Sequence, residues 1–194
     1  MANLLAVHSV GASLVALLRN AYPDALRARH ACEFRLLSSG ELATEADLVT
    51  TLSLYLYRVT ANEHLRTSPR PVDPADARPP LAVDLHYLLT VWADSALAEH
   101  VILGYAMREL HARPVLDVAS LSPEGGWGPG EVVQIIPAEL SNEDMMRLWD
   151  ALEPAYRLSV SYIARVVRID HDPVPTGRPV IATRTTYTDR PASR

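Results

Sequence analysis

Two long stretches of strand-forming residues, held apart by a cluster of prolines, constrain this chain more than any other feature. Thr51 to Thr60 reads TLSLYLYRVT, with Leu52, Leu54 and Leu56 facing one way and Tyr55, Tyr57 and Val59 the other. Leu81 to Trp92 repeats the pattern, placing Leu81, Val83, Leu85, Tyr87, Leu89 and Val91 on a single face. Successive side chains of a strand point to opposite faces, so each run predicts a strand with at least one buried side. Five of the 15 prolines fall between Pro69 and Pro80. Proline cannot donate to a ladder and ends helices, so that stretch is a loop. Strands adjacent in sequence favour an antiparallel or mixed sheet over a doubly wound parallel one.

Helices fill the gaps. Val7, Val10, Gly11, Leu14, Leu17 and Leu18 follow helical spacing, and Tyr22-Pro23 closes the run. Cys32, Phe34 and Leu36 alternate with Glu33 and Arg35 as a strand with one wet face. After Trp92, Asp94 and Ser95 offer an N-cap for a helix with a stripe of Leu97, Val101, Gly104 and Tyr105, stopped by Arg113-Pro114. Glu131 to Ile136 predicts a strand. Ser141 with Asp144 resembles a capping box ahead of Met145, Leu148, Trp149 and Leu152, an amphipathic helix. Tyr156 to Ile169 closes the set as a long strand with Leu158, Val160, Tyr162, Ala164 and Val166 on one face. The fold class is α+β: a mixed, largely antiparallel sheet of about five strands packed against helices.

Composition removes several chemistries. The chain of 194 residues contains no lysine, so all 18 of its basic residues are arginine. A phosphate-binding P-loop and an amine nucleophile are therefore both excluded. Cys32 is the sole cysteine, which permits neither an internal disulfide nor a thiolate metal cluster. A net charge of −5 argues against a nucleic-acid binder built on a broad basic face. The apolar stretch from Asn3 to Leu18 lacks a basic flank and is interrupted by His8, Ser9 and Ser13. It reads as neither a membrane span nor a secretion signal, and the expected location is cytoplasmic.

The candidate reactive groups are sparse. His100 and His111 stand about 16 Å apart if both lie on one helix, too far for shared metal ligation, and His86 faces away from the apolar row of its strand. No metal or cofactor is expected. His171-Asp172 has no G-x-S-x-G partner motif, and a solvated turn is its simplest role. The run Gly125 to Gly130, GGWGPG, departs from G-x-G-x-x-G and predicts a mobile loop, whose Trp127 is a candidate contact anchor if exposed.

The tail carries more information. Val180 to Thr188 reads VIATRTTYT, rich in β-branched and aromatic residues, and is set off by Pro173, Pro175, Pro179 and Pro191. Four arginines against two aspartates give residues 171–194 a net charge of +2. Either this is a frayed terminus, or it is an extended arm that adds a strand to a neighbour's sheet edge. In the second reading Val180, Ile181, Thr183, Thr185 and Tyr187 join Trp127 as interface residues. The expected division is a domain over residues 1–170 and a proline-rich arm over 171–194.

Three blocks of sequence carry a resemblance. They are LSLYLYRVTANEHLR from Leu52 to Arg66, the stretch from Leu81 to Leu116, and LSNEDMMRLWDALEPAYRLSVSYIARVVRID from Leu140 to Asp170. With the first helix they cover residues 1–170, and together they resemble the cap, or sheath-terminator, proteins of phage-tail-like contractile injection systems. The resemblance implies a tail-terminator-like fold and structural work without a reaction or cofactor. The subunits would form a six-fold ring that ends the inner tube and sheath and ties the last sheath layer to the tube. The implied partners are the chain itself and the sheath and inner-tube proteins, with no nucleic acid and no membrane. An alternative role is a baseplate or tube-side adaptor of the same particle. The resemblance does not reach the tail.

Overall fold

The computed structural model describes residues 2–43, 49–62 and 80–171. The two long runs become β2 (Thr51–Ala61) and β3 (Leu81–Trp92), paired antiparallel from Thr51↔Trp92 to Ala61↔Val83. Around them lie β1 (Glu33–Leu37), β4 (Val115–Asp117), β5 (Val132–Ala138) and β6 (Ser159–Ile169). The helices are α1 (Ala6–Ala21), α2 (Asp24–Arg29), α3 (Ser39–Ala43), α4 (Ala96–Ala112) and α5 (Asn142–Asp150), with a 3₁₀ turn over Pro123–Gly125. The sheet order is β1-β2-β3-β6-β5-β4. All pairs are antiparallel except β1 with β2. The α+β expectation holds, with six strands among the described residues instead of about five. The extra one, β4, is three residues long and too short to carry a periodic signal.

One face of the sheet holds the main core. Leu52 and Leu54 of β2, Leu85, Tyr87, Leu89 and Val91 of β3, and Tyr162 and Ala164 of β6 are all buried there. Val10, Leu14 and Leu18 of α1 and Ile102, Tyr105, Ala106 and Leu110 of α4 close over them. The stripe expected on α4 is corrected: Tyr105 is buried, but Leu97 is 67% exposed and Gly104 also faces outward. The first half of α4 is apolar nearly all round, so spacing alone admitted two rows, and packing on β3 and α1 selected the other. Its N-cap is as expected, with Ser95 accepting from the Ala98 amide.

Among the described residues, the opposite face is covered at one end, by α5 together with Leu42 of α3. Trp149 and Leu152 join Leu37, Leu42, Leu88 and Trp92 in a second cluster, with Met145 and Leu148 packed at its margin. Ser141 caps α5 by accepting from the Asp144 amide, as the capping pattern predicts. Polar residues in this layer pair with one another: the Trp92 indole donates to Ser53 Oγ at 2.8 Å, and Thr90 Oγ1 lies 2.8 Å from Ser159 Oγ.

The alternation along β6 breaks near its end. Ala164 pairs with Leu85, but Val83 pairs with Val167, leaving one more residue on β6 than on β3 across that step. Val167 is buried in place of the expected Val166, and Leu158 lies outside the strand and exposed. Val166 takes φ 66°, a left-handed conformation that a β-branched residue rarely adopts. Asp84 holds the bulge: its Oδ1 accepts the Val166 amide at 3.0 Å, and the same carboxylate receives Asn62 Nδ2 and faces Arg165. Asp84→Ala is expected to lower unfolding free energy by about 1–3 kcal/mol, because the Val166 amide loses its acceptor. Urea denaturation measures it, and an unchanged midpoint contradicts the role.

Candidate interface surfaces

The loop around Trp127 is built onto α1. Ser9 and Ser13 sit one turn apart and are both buried, unusual for serines in a helix. Ser13 Oγ donates to the Ser9 carbonyl and accepts the Ser122 amide at 2.7 Å. Ser9 Oγ donates to the Ser122 carbonyl and accepts the Trp127 indole N–H at 2.9 Å. Asn3 adds a backbone bond to Gly125 O and a side-chain bond to Glu124 O. The loop expected to be mobile is instead tied to α1 by these bonds. Trp127 is half-buried with its polar edge tied inward, because the serines supply the partners its N–H needs.

Gly125 makes this packing possible. A Cβ there would stand 2.5 Å from Trp127 Nε1 and 2.9 Å from Ser9 Oγ. Gly125→Ala is therefore expected to displace the indole and lower stability by about 1–3 kcal/mol. A variant with unchanged stability and unchanged tryptophan emission contradicts that packing. The outer flank of Trp127 lines a cleft of about 480 Å³ with Gly130, Gln134, Arg165 and Arg168.

The sheet margins differ in character. On the β1 side, Arg19 donates to the Phe34 carbonyl at 2.7 Å and so occupies one acceptor of the edge. Cys32 sits nearby, and burial pushes its thiol up to about 12, which leaves it without thiolate character at neutral pH. At the other margin, Val115, Val118 and Val132 expose apolar surface around β4. A groove of about 740 Å³ opens between the start of α1 and the end of β1, floored by Leu36, Leu56 and Tyr87.

The remaining candidate groups are dispersed. His86 faces away from the main core as expected, and its Nε2 lies 3.0 Å from Thr60 Oγ1. Burial, followed by Arg58, lowers its pKa. His100 and His111 are both exposed on α4. No group of three His, Cys, Asp or Glu side chains among the described residues is placed to hold a metal, and no described helix is long and apolar enough to cross a membrane. The Tyr87 hydroxyl, raised in pKa by burial, reaches the Val7 carbonyl at 3.4 Å. His171 ends the described chain, whereas Asp172 and the interface candidates Val180, Ile181, Thr183, Thr185 and Tyr187 lie outside the described residues.

With this geometry in place, comparison with known proteins is decisive at the family level. The model of the Pvc16 N-terminal domain matches residues 9–183. The chain belongs to this family. The match runs past Asp170, where the blocks of resemblance stop, and takes in Val180, Ile181 and Thr183. Two solved structures share the fold of this chain. One is the PVC sheath/tube terminator of an extracellular contractile injection system in its extended state, with TM-score 0.59 and 20% identity over 96% of this chain. The other is the tube-terminating cap of the anti-feeding prophage, with TM-score 0.58 and 18% identity over 92% of this chain. This chain spans 65% of the first and 60% of the second. No curated protein matches it.

The signals that sequence reasoning missed here were Ser9 and Ser13. They were visible as serines four apart inside an apolar helix, where each needs a partner. That partner lies more than 100 residues away in sequence, so periodicity alone does not find it.

Proposed function

We propose that this chain is a terminator of a contractile injection particle: a structural subunit that closes one end of the inner tube and sheath. The observation that carries the reading is the fold shared over 96% of the chain with a sheath/tube terminator. In this reading the subunits close into a six-fold ring, bind the last tube layer and tie it to the last sheath layer. No reaction and no cofactor enter, and assembly takes place in the cytoplasm of the producing cell.

The molecule offers the asymmetry that such a ring requires. Rotational closure repeats one heterologous contact, so every subunit needs two different complementary faces. Among the described residues the β1 and β4 margins lie at opposite ends of the sheet and differ in composition, one polar with Arg19, Arg27 and Arg35, the other apolar with Val115, Val118 and Val132. Trp127 contributes through the cleft it lines and not as a free anchor.

Gold labelling of a tagged chain in intact particles tests the assignment. Label confined to the end opposite the baseplate is the expected result. Label at the baseplate end supports the adaptor role, and particles without label contradict both.

A further inference from the structure

The bulge at Val166 sets the direction of two arginines. Residues three apart on a regular strand face opposite sides of the sheet. Ala164 is buried in the main core and pairs with Leu85, so Arg165 projects from the other face. Val167 is buried in the same core and pairs with Val83, so Arg168 projects from that other face as well. The single extra residue therefore brings both arginines to one side; in regular register Arg168 would point into the core. Holding a β-branched residue at φ 66° strains the backbone, and strain of this kind collects where a geometry is put to use.

Both arginines line the cleft of about 480 Å³ that the outer flank of Trp127 walls. Gln134 and Val132 share their face, because Val133 and Ile135 point into the core. The ladder of β5 with β6 starts at Gln134↔Arg165, and the cleft opens beyond that pair, bordered by Pro129 and Gly130. The Arg165 side chain is 41% exposed, and its Nε stands 3.7 Å from Asp84 Oδ2. A charge-assisted hydrogen bond measures about 2.7–2.9 Å, so Asp84 steadies Arg165 without saturating its donors. The Asp84 carboxylate is itself engaged by the Val166 amide and Asn62. Glu131, which also lines the cleft, turns Oε2 to the Gly128 amide at 2.6 Å.

We propose that this cleft receives the carboxylates of an acidic segment of a partner protein, with Arg165 and Arg168 as the receiving forks and Trp127 and Val132 as an apolar wall beside them. A guanidinium presents parallel N–H donors that match the two oxygens of a carboxylate. The wall suits the methylene stems of glutamate side chains, and Val132 is 49% exposed for that contact. A nucleic acid is the poorer match, because two cations on a chain of net charge −5 give no extended basic track for a phosphate backbone. This inference does not depend on the terminator reading, because it concerns one subunit and a defined probe.

Fluorescence anisotropy of a labelled, end-blocked hexaglutamate peptide, titrated with the full chain at low salt, tests it. Saturable binding is expected, weakening as salt is added. Arg165→Gln and Arg168→Gln are each expected to weaken binding about fivefold or more. Arg168→Lys keeps the charge but loses the fork, and is expected to weaken it by a smaller factor. Arg108→Gln, at an exposed position of α4, removes the same charge elsewhere and is expected to stay within about twofold. Arg165 also faces Asp84, so Arg168→Gln decides the matter should Arg165→Gln fail to fold. Four results overturn the inference. They are the absence of saturable binding, an affinity unchanged by Arg168→Gln, an equal loss on Arg108→Gln, and tighter binding of a ten-nucleotide thymidine strand than of the peptide.

Discussion

Trp149→Ala is expected to detach α5 and to lower unfolding free energy by about 3–5 kcal/mol, whereas Trp149→Phe is expected to cost less than about 1 kcal/mol. The asymmetry follows from what the indole touches. Trp149 is 3% exposed and is the only fully buried residue of α5. Its ring centroid lies 6.0 Å from those of Trp92 and Tyr156, and Arg157 stacks over Trp92 at 5.6 Å. Removing the ring opens a cavity in a small cluster that has little other apolar surface with which to collapse. The indole N–H, however, is buried with no acceptor among the described residues. Phenylalanine keeps most of the apolar contact and discards the unsatisfied donor, so its two effects oppose each other. Urea denaturation of both variants measures this. Equal losses for the two contradict the account, because they would show the N–H to be satisfied or the cluster to be loosely packed.

The second large effect is expected from the serine network. Ser9→Ala with Ser13→Ala should lower stability by about 2–4 kcal/mol, since it strips partners from the Ser122 amide and carbonyl and from the Trp127 indole. The two single changes are expected to be non-additive, because Ser122 is common to both. Ser9→Ala alone leaves Trp127 Nε1 its 3.0 Å bond to the Ser122 carbonyl and is therefore the milder of the two. Ser13→Ala leaves the Ser122 amide with no acceptor. A double-mutant cycle in urea, followed by tryptophan emission, resolves the coupling. A double variant within about 0.5 kcal/mol of the unaltered chain contradicts the assignment of the network to stability.

Local periodicity made part of this fold legible and long-range geometry supplied the rest. Thr51–Ala61 and Leu81–Trp92 announce themselves because a strand buried on one side must alternate. The Ser141 cap and the Trp149–Leu152 stripe announce α5 for similar reasons. The core face of α4 was ambiguous because Leu97, Val101, Ile102 and Leu103 are all apolar, so the choice falls to the surface it packs on. The bulge at Val166 leaves no mark in an alternating pattern, since an extra residue only shifts the count by one. It depends on Asp84, which lies 82 residues away. Trp127 was legible as a large side chain in a glycine loop. Its inward direction was not, because the serines that receive it sit on the first helix. The family resemblance came from ordered blocks, and comparison extended it through Thr183 into a stretch where the blocks carried no match.

The terminator reading is tested most directly by the length distribution of particles assembled in a deletion strain, measured on negatively stained images beside a complemented strain. The account predicts overlong or unstable sheaths and tubes without the chain, and a single sharp length once it is restored. Unchanged lengths in the deletion strain, or a complete failure of tube and sheath to assemble, contradict it.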